Sequence, residues 1–372
     1  MSDAAGRSGP TVRRPAWGRL PLLILGFVGL FGGLGAGLAR LGWTVPAEFA
    51  GAAAWHGPLM ICGFFGVVIS LERAVAIGRL WAYAGPLLAG LGTVAALHGG
   101  QAATPWLTLA ASGVLLAASL DVLRRQREGF MLTIALAAGC WTTGTALWAA
   151  GWAVHEVVGW WIAFLVLTIA GERLELSRFM PPSRSATKLF AAIVAAVLVA
   201  LLAWTQPWGP RLFGVALLVL AAWLLRNDIA RRTVKQQGLT RFIAVCLLSG
   251  YFWLALGGAV IAAAGLTPGS AAYDAALHAL LLGFVFAMVF GHAPIIFPAV
   301  LRVAVPYHPF FYAPLLLLHA SLALRLAGDA GGWFDLKRWG ALMSALALVA
   351  FIASTATAVL RGRRAGRRMS RV

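Results

Sequence analysis

Long apolar runs, each ended by a short polar or charged stretch, alternate along the whole chain. A helix needs about 17 to 25 apolar residues to cross a hydrocarbon core of about 30 Å. Twelve runs reach this length, so the pattern predicts an all-α, polytopic membrane protein with twelve transmembrane helices. The predicted spans lie near residues 20–39, 51–71, 82–98, 105–121, 129–150, 154–171, 187–205, 209–225, 242–264, 273–299, 309–327 and 338–360.

The composition supports a membrane protein and excludes a soluble one. Of the 372 residues, 61% are hydrophobic and 11% are charged, whereas soluble domains carry about 25% charged residues. The formal net charge of +18 raises the question of nucleic-acid binding. The basic residues form short clusters between apolar runs and no continuous stripe, so they indicate membrane topology and no nucleic-acid partner.

The distribution of basic residues predicts that both termini are cytoplasmic. In that orientation the cytoplasmic side collects 25 of the 30 Lys and Arg residues, as the positive-inside rule requires. We therefore expect a single integral domain of a bacterial inner membrane over residues 20–360, between basic cytoplasmic tails at 1–19 and 361–372. The first run favours a retained helix over a cleaved signal peptide. Five basic residues fall on the other side: Arg40, Arg211, Arg325, Lys337 and Arg338.

The three cysteines indicate neither a disulfide framework nor a thiolate site. Cys62, Cys140 and Cys246 stand singly in apolar segments, without a Cys-x-x-Cys pair. The absence of Cys-x-x-Cys-His excludes covalently attached c-type haem. We expect each cysteine to be a small buried hydrophobic residue.

A pattern with a period of four helices places a histidine at the outer end of helices 2, 6 and 10. These are His56, His155 and His278, and the motif Glu-Arg ends helices 2 and 6 on the opposite side. The pattern predicts a pseudo-threefold arrangement of three four-helix blocks, with functional groups where the repeats face each other. Chance alignment of seven histidines is the alternative.

Five histidines fall in or near membrane-depth helices, where an ionisable side chain needs a partner. Neutral imidazole ligates haem iron and copper, so these residues are candidate metal ligands. The alternative is that they form hydrogen bonds with the backbone or with each other. We expect His98 and His308 to be interfacial. The five candidates are His56, His155, His278, His292 and His319.

Helix 10 carries two of these candidates. His278 and His292 are 14 positions apart, which predicts one helix face and a separation of about 21 Å along an ideal α-helix. They therefore serve two sites, or one of them has a structural or gating role beside Pro294. Asp274, four residues before His278, is predicted either to cap the helix or to orient the imidazole as a second-shell acceptor.

The surroundings of the histidines suit a flat apolar cofactor. Glycines on helices 2 and 10 leave room for a macrocycle, although glycine is also ordinary packing material between membrane helices. Tryptophans near the outer ends of helices 5 and 6 predict an interfacial aromatic belt. The glycines are Gly57, Gly63, Gly66, Gly283 and Gly291, the neighbouring stacking residues are Phe64, Phe65, Phe284, Phe286, Phe290 and Met288, and the tryptophans are Trp141, Trp148, Trp152, Trp160 and Trp161.

Short motifs in helices 2 and 10 resemble the NnrS-like membrane proteins. That family contains haem and copper, is linked to nitric oxide and denitrification stress, and is distantly similar to the catalytic subunit of haem-copper oxidases. The resemblance implies that His56 and His278 hold a low-spin b-type haem and that His155 binds copper. The motifs are Trp55-His56 with Met60 and Gly63-Phe64, and His278 with Gly283 and Gly291-His292.

The chain departs from the oxidase pattern in three places. Helix 7 has no histidine where the oxidases carry a copper-binding pair, and Gly159 stands where many have a cross-linking tyrosine. Helix 10 lacks the closely spaced histidine pair that serves two haems. These departures argue against full oxygen reductase chemistry and proton pumping, and leave open whether the protein is a haem-dependent oxidoreductase.

Two hypotheses of different classes follow. The first is an inner-membrane protein that binds haem b, with copper as a further cofactor, in nitric oxide or respiratory redox metabolism. Its partners would be membrane lipid, a diatomic gas such as nitric oxide, and a redox partner that the sequence does not identify. The second is a cofactor-free permease for a small solute, with a discontinuous helix at His292 and the Pro294 to Pro298 break.

Overall fold

The computed structural model describes residues 16–177 and 182–369, and these residues form helices and connecting loops without a β-strand. The prediction of twelve spans is confirmed, because twelve described helices are long and apolar enough to cross a membrane. We number them α1 Trp17–Ala39, α2 Ala53–Ile77, α3 Leu80–Leu97, α4 Thr104–Arg125, α5 Gly129–Ala149, α6 Val154–Leu176, α7 Arg184–Leu202, α8 Gly209–Asn227, α9 Gly238–Ala264, α10 Ala271–Leu301, α11 Pro309–Gly331 and α12 Phe334–Gly362.

Local signals fix several of the helix ends. The Ser270 side chain accepts a hydrogen bond from the Tyr273 N–H and caps the start of α10, so the predicted capping role of Asp274 is wrong. Gly78 ends α2 in the left-handed region, with φ of 69°, where an L-residue with a Cβ is strained. Beyond α12 the backbone remains helical to Met369. The predicted tails at 1–19 and 361–372 therefore lie partly outside the described residues.

Two spans contain a π-helical segment within three residues after a candidate histidine. In α2 the segment Leu59–Phe65 follows His56, and in α10 the segment Ala279–Phe286 follows His278. Such π-helical insertions are rare and occur frequently at functional sites. The third helix of the predicted repeat, α6, is α-helical throughout, so this feature relates α2 to α10 and leaves α6 out.

The histidine-bearing helices occupy the inside of the bundle. Together with α5, the helices α2, α6 and α10 have the largest buried shares of the twelve described spans, and α6 is the most buried of all. We call the end that holds His56 and His278 the histidine end. The start of α1 contacts the end of α10, where Arg19 donates to the Val300 carbonyl, and we call this opposite end the terminal end.

Candidate metal-binding histidine pair

The structure brings two of the five candidate histidines together. The imidazole rings of His56 on α2 and His278 on α10 lie side by side, with centroids 6.3 Å apart and planes 13° from parallel. Their helices are 222 positions apart in sequence at this point, so the pairing is a product of the fold. Eight residues further along each helix, Phe64 and Phe286 repeat the arrangement at 5.8 Å and 2°.

Hydrogen bonds fix the tautomer of both rings. The Nδ1 atom of His56 lies 2.7 Å from the Gly33 carbonyl, and Nδ1 of His278 lies 2.8 Å from the Asp274 carbonyl. Because a carbonyl oxygen only accepts, each Nδ1 carries the hydrogen and donates it. In a neutral imidazole the lone pair is then on Nε2, and Nε2 of neither ring has a hydrogen-bond partner among the described residues.

This donor set fits a metal held between the rings. Metal–imidazole bonds are about 2 Å long, and each ring centre lies about 1 Å beyond its own nitrogen, so two imidazoles that held one metal between them would have centroids roughly 6 Å apart. Ligating histidines also donate their second nitrogen to a carbonyl or carboxylate, as both rings do here. Two neutral imidazoles in an apolar helix bundle are a donor set that suits haem iron.

Two glycines of α1 allow the backbone to approach His56 closely. A Cβ at Gly37 would lie 2.8 Å from both Cε1 and Nδ1 of His56, and a Cβ at Gly33 would collide with Met60. Together with Gly29 these residues form a small-xxx-small pattern, which brings membrane helices into contact. Sequence reasoning overlooked this pattern, although it is visible in the sequence and positions the acceptor of His56.

A network of charged side chains lies behind His278. Both oxygens of the Asp274 carboxylate accept from Arg325 at 3.0 Å, and Lys337 lies 3.2 Å from the same group. Lys337 also pairs with Asp329 at 2.7 Å. The Asp274 carboxylate lies 3.5 Å from Nδ1 of His278, so of its two predicted roles the orientation of the imidazole is the one that agrees with the structure.

The other candidate histidines lie away from the pair. His155 is exposed at the start of α6. His319 uses both ring nitrogens, since Nδ1 accepts from the Trp253 indole and Nε2 donates to Ser249, each at 2.9 Å. His292 donates from Nδ1 to the Met288 carbonyl and is within electrostatic range of Arg173 near the terminal end. No group of three or more metal-ligating side chains occurs in the described part of the chain.

The π-helical segment Ala279–Phe286 lies between His278 and His292 and interrupts the 3.6-residue period from which their single face was predicted. The ring of His278 packs beside that of His56 on α2, whereas His292 forms its hydrogen bond within α10, to the Met288 carbonyl. His98 and His308 are exposed near helix ends, as expected for interfacial residues. The described helix α10 continues through Pro294 and Pro298, so it is not the discontinuous helix that the permease hypothesis requires.

At most of the glycines that were predicted to leave room for a macrocycle, a neighbouring helix already fills the space. A Cβ at Gly66 would meet the Trp141 ring, and one at Gly283 would meet Trp253. The helix-packing alternative is therefore correct for these two positions. The predicted aromatic belt is also wrong for four of five tryptophans, because only Trp152 is exposed. The buried ones fill the core between α5 and α6, and the residues are Trp141, Trp148, Trp160 and Trp161.

The terminal end contains a buried ion pair that sequence reasoning missed. Arg173 donates from Nε and Nη2 to Asp228 at 2.6 and 3.0 Å, and the Tyr251 hydroxyl donates to the same carboxylate at 2.6 Å. The N–H of Ala230 gives a fourth bond at 2.7 Å. Burial alone would raise the pKa of Asp228, but these donors, Arg173 foremost, hold it below its usual range.

Comparison with known proteins places the chain in a family without a described role. The profile of the family described as a domain of unknown function (DUF8744) matches residues 19–360. The chain belongs to this family. The match covers all twelve spans almost completely, so the family is defined by the whole bundle. No curated protein matches the sequence.

Proposed function

We propose that this protein binds one b-type haem in the membrane, and that His56 and His278 are the residues that would hold its iron. One observation carries the proposal: two parallel imidazoles, 6.3 Å apart, each donate Nδ1–H to a carbonyl and leave Nε2 without a partner. At His319, by contrast, both ring nitrogens have hydrogen-bond partners. The pair on α2 and α10 is also the one that the resemblance to NnrS-like proteins implies.

The chain's own groups hold the two ligands in place. The Gly33 carbonyl orients His56, and the Asp274 carbonyl with its carboxylate orients His278. Arg325 and Lys337 in turn fix the carboxylate. Such outer partners set ring orientation and ligand basicity, which are two of the means by which a protein tunes haem.

If both histidines held the haem iron, the arrangement would favour electron transfer over gas binding. When bound, haem iron supplies a one-electron redox couple, and a diatomic gas needs an open axial position. We therefore propose a role in respiratory redox metabolism of a bacterial inner membrane. The link to nitric oxide and denitrification, and copper as a second cofactor, rest on the family resemblance alone.

Both termini are proposed to be cytoplasmic. The 25 to 5 division of basic residues supports this orientation, as does the even number of described spans. Reporter fusions at residue 372 and in the loop between α8 and α9 test the orientation. A periplasmic signal from either position would contradict it.

Absorption spectroscopy of the purified full-length chain, produced with adequate haem supply, tests the proposal. We expect the spectrum of a low-spin b-type haem at one haem per chain. Either His56→Ala or His278→Ala should abolish the low-spin signal while the protein still inserts into the membrane. His98→Ala and His308→Ala are matched controls and should leave the spectrum unchanged, because both side chains are exposed near helix ends.

The outcome that favours the permease hypothesis is equally clear. Correctly inserted protein that remains colourless and free of iron would overturn the haem proposal. A low-spin signal that survives both His56→Ala and His278→Ala would retain haem but assign it to other ligands. Copper analysis of the same preparations, with His155→Ala as the variant, tests the second cofactor separately.

A further inference from the structure

A deep apolar cavity opens at the terminal end, away from the histidine pair. Its volume is about 400 Å³, and it lies between α1, α2, α10 and α12. Phe64 and Phe286 form its floor, and the closely stacked rings of Phe290 and Phe351, 3.8 Å apart, line one wall. The proposed haem ligands are not among the residues that line it.

The depth of the cavity matches one leaflet of a bilayer. On α1 its lining runs from Trp17 to Leu30, which is about 20 Å at the rise of an α-helix. A hydrocarbon core is about 30 Å thick, so the cavity spans roughly the length of the acyl chains in one leaflet. At its open end Trp17 and Leu360 are exposed.

The lining offers almost nothing for a polar ligand to bind. Among the described lining residues, Trp17 and Thr355 carry the polar side-chain atoms, and the Thr355 hydroxyl already donates to the Phe351 carbonyl. A ring with carbonyl groups, such as a quinone, would leave those groups without hydrogen bonds inside the cavity, which is costly. The lining therefore suits a plain hydrocarbon chain.

Two arginines flank the mouth. Arg19 and Arg302 line a polar depression next to the cavity, and Arg19 reaches the rim, where it donates to the carbonyl of the lining residue Val300 at 2.8 Å. Arg302 follows the lining residue Leu301 and is held in the left-handed region at φ of 56°. Guanidinium groups at this depth match the phosphate layer of a bilayer.

We propose that this cavity is a binding site for one anionic phospholipid. One acyl chain fills the apolar cavity, and the phosphate group of the same lipid pairs with Arg19 and Arg302. The shape of the cavity suits an acyl chain, and the two positive charges account for the preference for an anionic headgroup. This site is independent of the haem proposal, because it shares no residue with the histidine pair or its hydrogen-bond acceptors.

Native mass spectrometry of the full-length chain in mild detergent tests the proposal, with dioleoyl phosphatidylglycerol and dioleoyl phosphatidylcholine as probes. We expect one tightly held phosphatidylglycerol per chain. The double variant Arg19→Gln/Arg302→Asn should bind it about thirtyfold more weakly, from the usual contribution of two basic residues near anionic lipid. Asparagine tolerates the left-handed backbone at position 302. Arg226→Gln, at an exposed position on α8, is the matched control.

A second set of variants tests the cavity itself. Ala356→Trp fills the cavity from α12, and Ala293→Leu fills it from α10, so one remains informative if the other fails to fold. Each should abolish binding of both lipids, whereas Ala222→Trp on the exposed face of α8 should not. Unchanged binding in a folded cavity-filling variant would overturn the proposal. So would equal binding of both lipids, or a copurified neutral isoprenoid in place of phospholipid.

Discussion

The two polar clusters inside this bundle differ in how completely their atoms are paired. At the terminal end, the Asp228 carboxylate accepts four hydrogen bonds from Arg173, Tyr251 and Ala230. At the histidine end, His56 and His278 are equally constrained at Nδ1, yet Nε2 of each ring has no partner among the described residues. The Asp228 carboxylate has its hydrogen bonds without a ligand, whereas each imidazole of the histidine pair keeps one nitrogen without a partner.

This difference separates a structural cluster from a candidate site. Burying a polar group in an apolar medium is costly unless it forms hydrogen bonds, and a fully paired cluster has no remaining capacity for chemistry. Two neighbouring imidazoles that each keep an Nε2 lone pair without a hydrogen-bond partner have that capacity. The predictions below test the contrast through stability, geometry and pH, beginning with the largest expected effect.

Removal of the cation from the terminal-end cluster should destabilise the protein most. Arg173→Met leaves the Asp228 carboxylate buried without its partner, which typically costs about 3–5 kcal/mol in free energy of unfolding. The double variant Arg173→Met/Asp228→Asn should recover part of the loss, because the amide carries no charge and still accepts from Tyr251. Denaturant unfolding in detergent measures both. A double variant less stable than the single one would show that charge is not the cause.

Crowding of His56 should disturb the histidine end by less. Gly37→Val places side-chain atoms where the imidazole now lies, since even a Cβ would be 2.8 Å from Nδ1. We expect a loss of about 1–3 kcal/mol, as for other overpacked sites, together with loss of the low-spin haem signal. Gly139→Val is the matched control, because a Cβ at position 139 has no neighbouring atom within 4 Å. An unchanged spectrum in Gly37→Val would show that haem binding does not depend on the position of His56.

The sequence predicts the twelve spans well for a physical reason. A helix that crosses the hydrocarbon core must be apolar over a fixed length and must form its backbone hydrogen bonds internally. The lengths of the apolar runs in the sequence show this requirement directly. Hydropathy does not show which face of a helix packs inside the protein, because lipid and the protein interior are similarly apolar. For this reason Trp141 and Trp161 resembled belt residues, although both are wholly buried.

The candidate site was predicted in part. His56 and His278 followed from their places in the repeat and from a resemblance, but their mutual distance depends on two π-helical segments that no periodicity indicates. Arg173 was counted with the cytoplasmic charges, and its partner Asp228 lies 55 residues away in a loop. Pairings across such distances depend on tertiary packing, which a single sequence does not show.

Lowering the pH should reduce the stability that the terminal-end cluster contributes. The folded pKa of Asp228 lies below its usual range despite burial, because Arg173 and Tyr251 stabilise the carboxylate. Its contribution is therefore fully present above the unfolded value of about 3.9 and is lost as the pH falls through the folded pKa. Unfolding measured from pH 7 to pH 3 should show the stability difference between wild type and Asp228→Asn shrinking below about pH 4. A stability difference between wild type and Asp228→Asn that grew as the pH fell would contradict this prediction.

The smallest effect is expected at an exposed ion pair of the same chemistry. Arg125 and Asp121 on α4 also form two short bonds, at 2.7 and 3.0 Å, but 53% of the Arg125 side chain is exposed. Solvent screens such i,i+4 pairs, so Arg125→Met should cost only about 0.3–0.5 kcal/mol. The same denaturant assay compares it directly with Arg173→Met. If the two losses were equal, burial and complete pairing would not be what distinguishes the terminal-end cluster, and the contrast with the histidine pair would lose its basis.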